Sequence, residues 1–240
     1  MTTVTKQNPV RTDLATTPAE VAATSASRSR AWALAGVGAA VMGAATLVTS
    51  GTVDVVYREE FRGTSQGVAQ ALAEKTGVLF VFHSVTALGA VLMIVFGAGL
   101  FRRLRAVAPD SIAPTLALVG LAGTAVVSVL GSGLDTEFMF PAPGDQVPFD
   151  DASGAFFNHW IGTIPWLWTL TGLAGLAIYA VSRSQGAPRW LGRVGLVLGG
   201  LTLLLGISPM EYMAGMTGVV WLLVTAIGFT AGDRAFRSAP

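Results

Sequence analysis

The chain has 240 residues, 52% of them hydrophobic and only 12% charged, and its mean hydropathy is +0.61. Soluble domains carry about 25% charged residues, so this chain lacks the polar groups to cover a water-facing surface, and lipid is its expected solvent. The formal net charge is +1 and there is no cysteine, which excludes a disulfide framework, a thiolate metal site and a catalytic thiol.

Residues 1–27 are rich in Thr, Ala and Ser, carry scattered charge and contain no apolar run. They read as a flexible cytoplasmic tail and not as a signal peptide. Six apolar runs follow, over 31–50, 78–101, 112–134, 157–181, 191–207 and 213–232. Each is near the length of about 20 residues that an α-helix needs to cross a hydrocarbon core of about 30 Å. No Lys, Arg, Asp or Glu falls in the central part of any run. The expected fold is therefore all-α: a polytopic membrane helix bundle of six transmembrane helices over residues 28–233, followed by a short tail at 234–240.

The charges orient it. Lys6, Arg11, Arg28 and Arg30 precede the first run. Arg102, Arg103 and Arg105 follow the second, Arg183, Arg189 and Arg193 follow the fourth, and Arg234 and Arg237 follow the sixth. Twelve of the fifteen basic residues thus fall on one side, which by the positive-inside rule is the cytoplasm. The other side has Arg58, Arg62 and Lys75 together with ten of the fourteen acids. Both termini are then cytoplasmic, and the localisation expected is a cell membrane crossed six times.

Two outer segments are long enough to have structure. Residues 51–76 read as containing a short amphipathic helix. Residues 135–156 hold Phe138, Phe140 and Phe149, three prolines and four aspartates, and read as a folded cap. Within the spans, Gly195 with Gly199, Gly120 with Thr124 and Gly36 with Ala40 stand at small-residue spacing, which lets helices approach closely in lipid. No G-x-x-x-x-G-K loop is present, so these glycines are not a nucleotide site.

The second and third spans resemble the fourth and fifth. In each hairpin a histidine opens the first helix (His83, His159), an Ala-Pro lies in the basic turn, and the return helix ends in Glu followed by an aromatic residue (Glu137-Phe138, Glu211-Tyr212). The two hairpins run in the same direction, as parallel repeats do. By topology His83, His159, Asp135, Glu137 and Glu211 share the outer ends of helices, with His83 about 8 Å into its span at about 1.5 Å per residue. Ionisable groups at such depth usually face a cavity or a partner. Meeting in one pocket, His83, His159, Glu137 and Glu211 would suit a divalent metal through nitrogen and oxygen ligands, and the two imidazoles alone could ligate a haem. The plainer alternative has His159 in an aromatic belt beside Trp160, Asp135 and Glu211 solvated, and His83 bonded to a neighbouring helix. Trp166 and Trp168 sit deeper and either line an apolar ligand pocket or fill a helix seam.

The stretch Ala187-Pro188-Arg189-Trp190-Leu191-Gly192-Arg193-Val194-Gly195 resembles the inner turn of a bacterial family of small, glycine-rich, multi-helix integral membrane proteins of unknown function. The likeness covers roughly residues 77–232 in span length and order, and it implies no activity.

Three functions compete. The first is a ligand- or metal-binding sensory module with an outward-facing His/Glu pocket and Asp135 beside it. The second is a membrane enzyme acting on a lipid or isoprenoid, with Glu137 or Glu211 protonating an alkene and Trp166 and Trp168 stabilising the cation. The third is a non-catalytic subunit of a membrane protein partner or a homo-oligomer. Nucleic-acid binding lacks a folded basic domain, and a retinal protein lacks its span lysine. A proton-coupled transporter would place an ionisable group near the midplane, and none stands there.

Overall fold

The computed structural model describes residues 30–61, 63–140, 149–184 and 186–232. Both expected tails, 1–27 and 234–240, lie outside the described residues, as do Pro141, Pro143, Asp145 and Pro148 of the expected cap. Among the described residues all regular structure is helical. The α-helices are α1 (Ala31–Val53), α2 (Val68–Ala73), α3 (Thr76–Arg105), α4 (Ala113–Gly131), α5 (Asp135–Met139), α6 (Asp151–Thr163), α7 (Thr171–Arg183), α8 (Arg189–Val194), α9 (Gly200–Ile207) and α10 (Tyr212–Gly232). They form six stretches long and apolar enough to cross a membrane: Ala31–Val53, Thr76–Arg105, Ala113–Met139, Asp151–Arg183, Arg189–Ile207 and Tyr212–Ala231. The protein is a multi-pass membrane protein.

Successive spans run antiparallel. Trp32 at the start of α1 stacks on Phe96 near the end of α3 and lies 5.5 Å from Phe229 near the end of α10. Gly228 of α10 faces Trp190 at the start of α8, and Gly186 after α7 faces Val107 after α3. These termini share one end with Arg30, Arg102, Arg105, Arg183 and Arg189, here the basic end. The opposite, acidic end gathers the start of α3, the end of α4, α5, the start of α6 and the segment after α1. A separate apolar cluster covers it, in which Phe138 stacks on Phe157 at 3.8 Å and meets Phe149 edge-on at 4.3 Å. In α2, Val68, Ala69 and Leu72 turn into this cap.

Lipid is as apolar as leucine, so helices associate through packing and hydrogen bonds instead of a hydrophobic drive. The side chains of Val48, Val91, Val126 and Leu204 point outward and are exposed. Between the spans, three threonine pairs bond across seams. Thr46 of α1 meets Thr86 of α3 at 3.1 Å, Thr124 of α4 meets Thr171 of α7 at 2.8 Å, and Thr202 of α9 donates to Thr217 of α10 at 2.8 Å. The closest approach is glycine on glycine. Gly172 and Gly175 of α7 press on Gly195 and Gly199, which bound a π-helical turn joining α8 to α9. A Cβ at Gly172 would stand 2.5 Å from the Gly199 carbonyl oxygen.

The fourth span differs from the unbroken helix expected over 157–181. It starts earlier, at Asp151, and breaks in the middle: α6 tightens into a 3-10 turn at Ile164–Trp166, the chain unwinds over residues 167–170, and α7 resumes. Pro165 is the cause, because proline has no N–H for the carbonyl four residues back. That orphaned carbonyl belongs to Ile161, and the Ser50 hydroxyl of α1 donates to it at 2.8 Å. The Pro165 carbonyl in turn accepts from Trp168 Nε1 at 3.0 Å. The second span, a single 30-residue helix, has no such break.

Candidate functional site

Asn158 organises the acidic end. It is fully buried on α6; its Oδ1 accepts from the backbone N–H of Val55 and of Val56, and its Nδ2 donates to the Val53 carbonyl, all at 3.0 Å. One amide thus holds the backbone that leaves α1, and with it the positions of Asp54 and Tyr57. The break in the fourth span sets the facing wall. Trp166 Nε1 donates to Ser50 Oγ at 3.1 Å, so Ser50 donates to the broken helix and accepts from it. Gly215 of α10 packs closely on Trp166: a Cβ there would come within 3.1 Å of the Trp166 carbonyl oxygen.

Between these elements lies a cleft of about 360 Å³ lined by Asp54, Tyr57, Trp166, Tyr212, Met213 and Met216, with Ser50, Gly51 and Gly162 among them. Tyr212 and Thr163 Oγ1 are hydrogen-bonded at 3.1 Å, and burial, followed by the neighbouring Tyr212, raises the Tyr57 hydroxyl above its ordinary pKa. Asp54 is half-buried. Its Oδ1 is shielded from solvent and finds no hydrogen-bond partner among the described residues. Gly162 keeps the space beside Oδ2 open, since a Cβ there would lie 3.5 Å from that oxygen. Burial pushes the Asp54 carboxyl above the ordinary carboxylate range, and the nearby His159 pulls it part of the way back. Among the described residues no basic side chain lines this cleft. A second, adjoining cleft of about 460 Å³ holds Arg58 and His159, and Tyr57 is the wall common to both. Arg58 is paired with Glu60 at 3.5 Å.

The expected site residues are distributed differently from the four-ligand set. His83 lies on α3 with Nδ1 3.2 Å from Oδ2 of Asp135, whose side chain is wholly buried and whose Oδ1 has no hydrogen-bond partner among the described residues. His159 instead meets the Tyr57 ring edge-on at 5.6 Å. Glu137 is exposed on α5, and Glu211 is half-exposed ahead of α10. Among the described residues no three His, Asp or Glu side chains gather to hold a metal ion; the set His83, His159, Glu137, Glu211 is not assembled, because the residues share a depth but not a facing direction. The exposure of Glu137 removes the apolar enclosure that an alkene-protonating acid needs, and Glu211 has only part of one. Trp166 lines the cleft, whereas Trp168 is buried in the helix core with its Nε1 committed to Pro165.

Sequence reasoning counted Asp54 only among the acids and did not single out Asn158 or Pro165. The available signals were a proline inside an apolar run and an asparagine within the fourth apolar run, after Phe156-Phe157. Compared with protein-family models, with curated proteins and with solved structures, the chain matches none.

Proposed function

We propose that the protein is a small-molecule-binding, sensory-type module of the cell membrane, with both termini cytoplasmic and the Asp54–Trp166 cleft open to the opposite side. The observation that carries this reading is the cleft itself. Its volume is that of small-ligand sites, its walls are mostly apolar, and one polar group converges on it. Trp166 stands at the break of a discontinuous span, the kind of element that forms membrane binding sites. The sidedness rests on the arginines at the basic end. The two same-direction hairpins, opened by His83 and His159 at the same end, support a parallel relation between them. The Pro188-Arg189-Trp190-Leu191-Gly192 turn supports kinship with small glycine-rich bacterial membrane proteins.

The native chain lacks cysteine, so single-cysteine variants test this cleanly. A cysteine at Met216 reacts with a membrane-impermeant maleimide added to intact cells, and one at Arg105 reacts only after permeabilisation. Labelling at Met216 that also requires permeabilisation would falsify the outward cleft.

A further inference from the structure

We infer that the cleft takes an organic ammonium ion, its charge set against the Asp54 carboxylate and its alkyl groups among the rings of Trp166, Tyr57 and Tyr212. This inference rests on the reading of the cleft as the binding site and adds the chemistry of what enters it.

Four observations converge on that class. Asp54 is half-buried, with one carboxylate oxygen unpartnered among the described residues, and a partly desolvated carboxylate is costly until a counter-charge arrives. Among the described lining residues the only charged group is this carboxylate, so an anion finds repulsion and no counter-charge from them. Three aromatic residues and two methionines form the walls; ring faces attract ammonium groups within about 6 Å, and thioethers are soft and adaptable. A bare metal ion fits less well. Hard cations want several oxygen ligands, and among the described residues no group of three His, Asp or Glu exists.

Among the described residues, Arg58 and His159 line the adjoining cleft on the other side of Tyr57. Arg58 is engaged with Glu60, and His159 faces the adjoining cleft. Neither lines the Asp54 cleft, although His159 is near enough to pull the Asp54 carboxyl part of the way down. The geometry is also fixed in advance: Asn158 holds the Asp54 backbone and Ser50 holds Trp166, which lowers the ordering cost of binding.

The test uses the full chain in neutral maltoside micelles, titrated calorimetrically with choline and with dimethylbutanol, in which carbon replaces the quaternary nitrogen. Choline is expected to bind about tenfold or more tightly than its neutral isostere. Asp54→Asn should abolish that preference, and Tyr57→Leu, a change at an exposed ring, should weaken choline several-fold while leaving the isostere unmoved. Adding phosphatidylcholine to the micelles separates two sources of the same group: competition assigns a lipid headgroup, and its absence assigns a soluble amine. Equal binding of both compounds, untouched by Asp54→Asn, overturns the ammonium assignment and leaves the cleft reading standing. An absence of choline binding at millimolar concentration also overturns it. Failure of maleimide to reach Met216 from outside overturns the cleft reading instead.

Discussion

His83 and Asp135, 52 residues apart in the chain, meet with Nδ1 3.2 Å from Oδ2. The pair ties the start of the second span to the end of the third. Asp135 is wholly buried and His83 is partly exposed, so the carboxylate orients the ring. Removing the ring leaves Asp135 with neither oxygen met among the described residues. His83→Ala should cost about 1–3 kcal/mol. Asp135→Ala should cost less in that background than alone, with a coupling of about 0.5–3 kcal/mol. Unfolding measured in detergent reads the cycle, and strict additivity would mean that the two side chains do not interact.

Ser50 and Pro165 form a second cycle. The Ser50 hydroxyl serves the Ile161 carbonyl, which Pro165 leaves without an intrahelical N–H. Ser50→Ala should destabilise by about 1–3 kcal/mol, because it strands both that carbonyl and Trp166 Nε1. In a Pro165→Ala background the new N–H can reach Ile161, so the same substitution should cost less. An equal cost in both backgrounds would refute the exchange of partners.

The glycine seam predicts a sharp contrast between positions. Gly175→Ala forces a Cβ to 2.8 Å from both the Gly195 carbonyl oxygen and the Gly199 Cα, so helix backbones must separate. Gly77 in α3 has nothing within 4 Å of a Cβ, and Gly77→Ala should stabilise by up to about 1 kcal/mol through backbone entropy. Thermal unfolding of the two variants should move in opposite directions.

Asp54 gives a pH dependence of known sign. Its carboxyl is raised in the folded state, so the fold favours the protonated form. Its contribution to stability is complete below the ordinary carboxylate value of about 3.9 and is lost as pH rises through the raised one. Asp54→Asn should therefore gain in unfolding temperature over the native chain as pH rises, with the gap closing in acid. Choline affinity should run the other way and fall as pH drops through the same value, since the ionised form is the binder. Tyr57, Tyr212 and His159 face this carboxyl. Repeating the titration in a His159→Gln background removes that neighbouring imidazole, and the dependence should persist.

The candidate site was legible only in pieces. His83 and Asp135 stand out in the sequence as polar residues at outer helix ends, and Trp166 as an aromatic residue deeper in its span. Their groupings do not: His83 goes to Asp135, and Trp166 goes to Asp54. Glu137 and Glu211 match the histidines in depth but stand at exposed and half-exposed positions. A sequence position fixes how deep a residue lies, whereas its neighbours depend on how each helix is rotated about its axis. Trp168, for which the sequence left open a pocket wall or a helix seam, turns into the core where the chain unwinds after Pro165.

Number and placement of the spans followed from the sequence alone, as did the division between a basic and an acidic end and the glycines that would pack closely. Hydropathy and charge are properties of each stretch taken by itself, and the lipid solvent imposes them locally. Tertiary structure alone decided that the fourth span breaks, that Asn158 clamps the turn after α1, and that Asp54 shares a cleft with Tyr57, Trp166 and Tyr212. Those relations join residues about a hundred positions apart, such as Val55 and Asn158. They exist only once the helices have taken their rotations and the orphaned groups at Pro165 have found partners on another span.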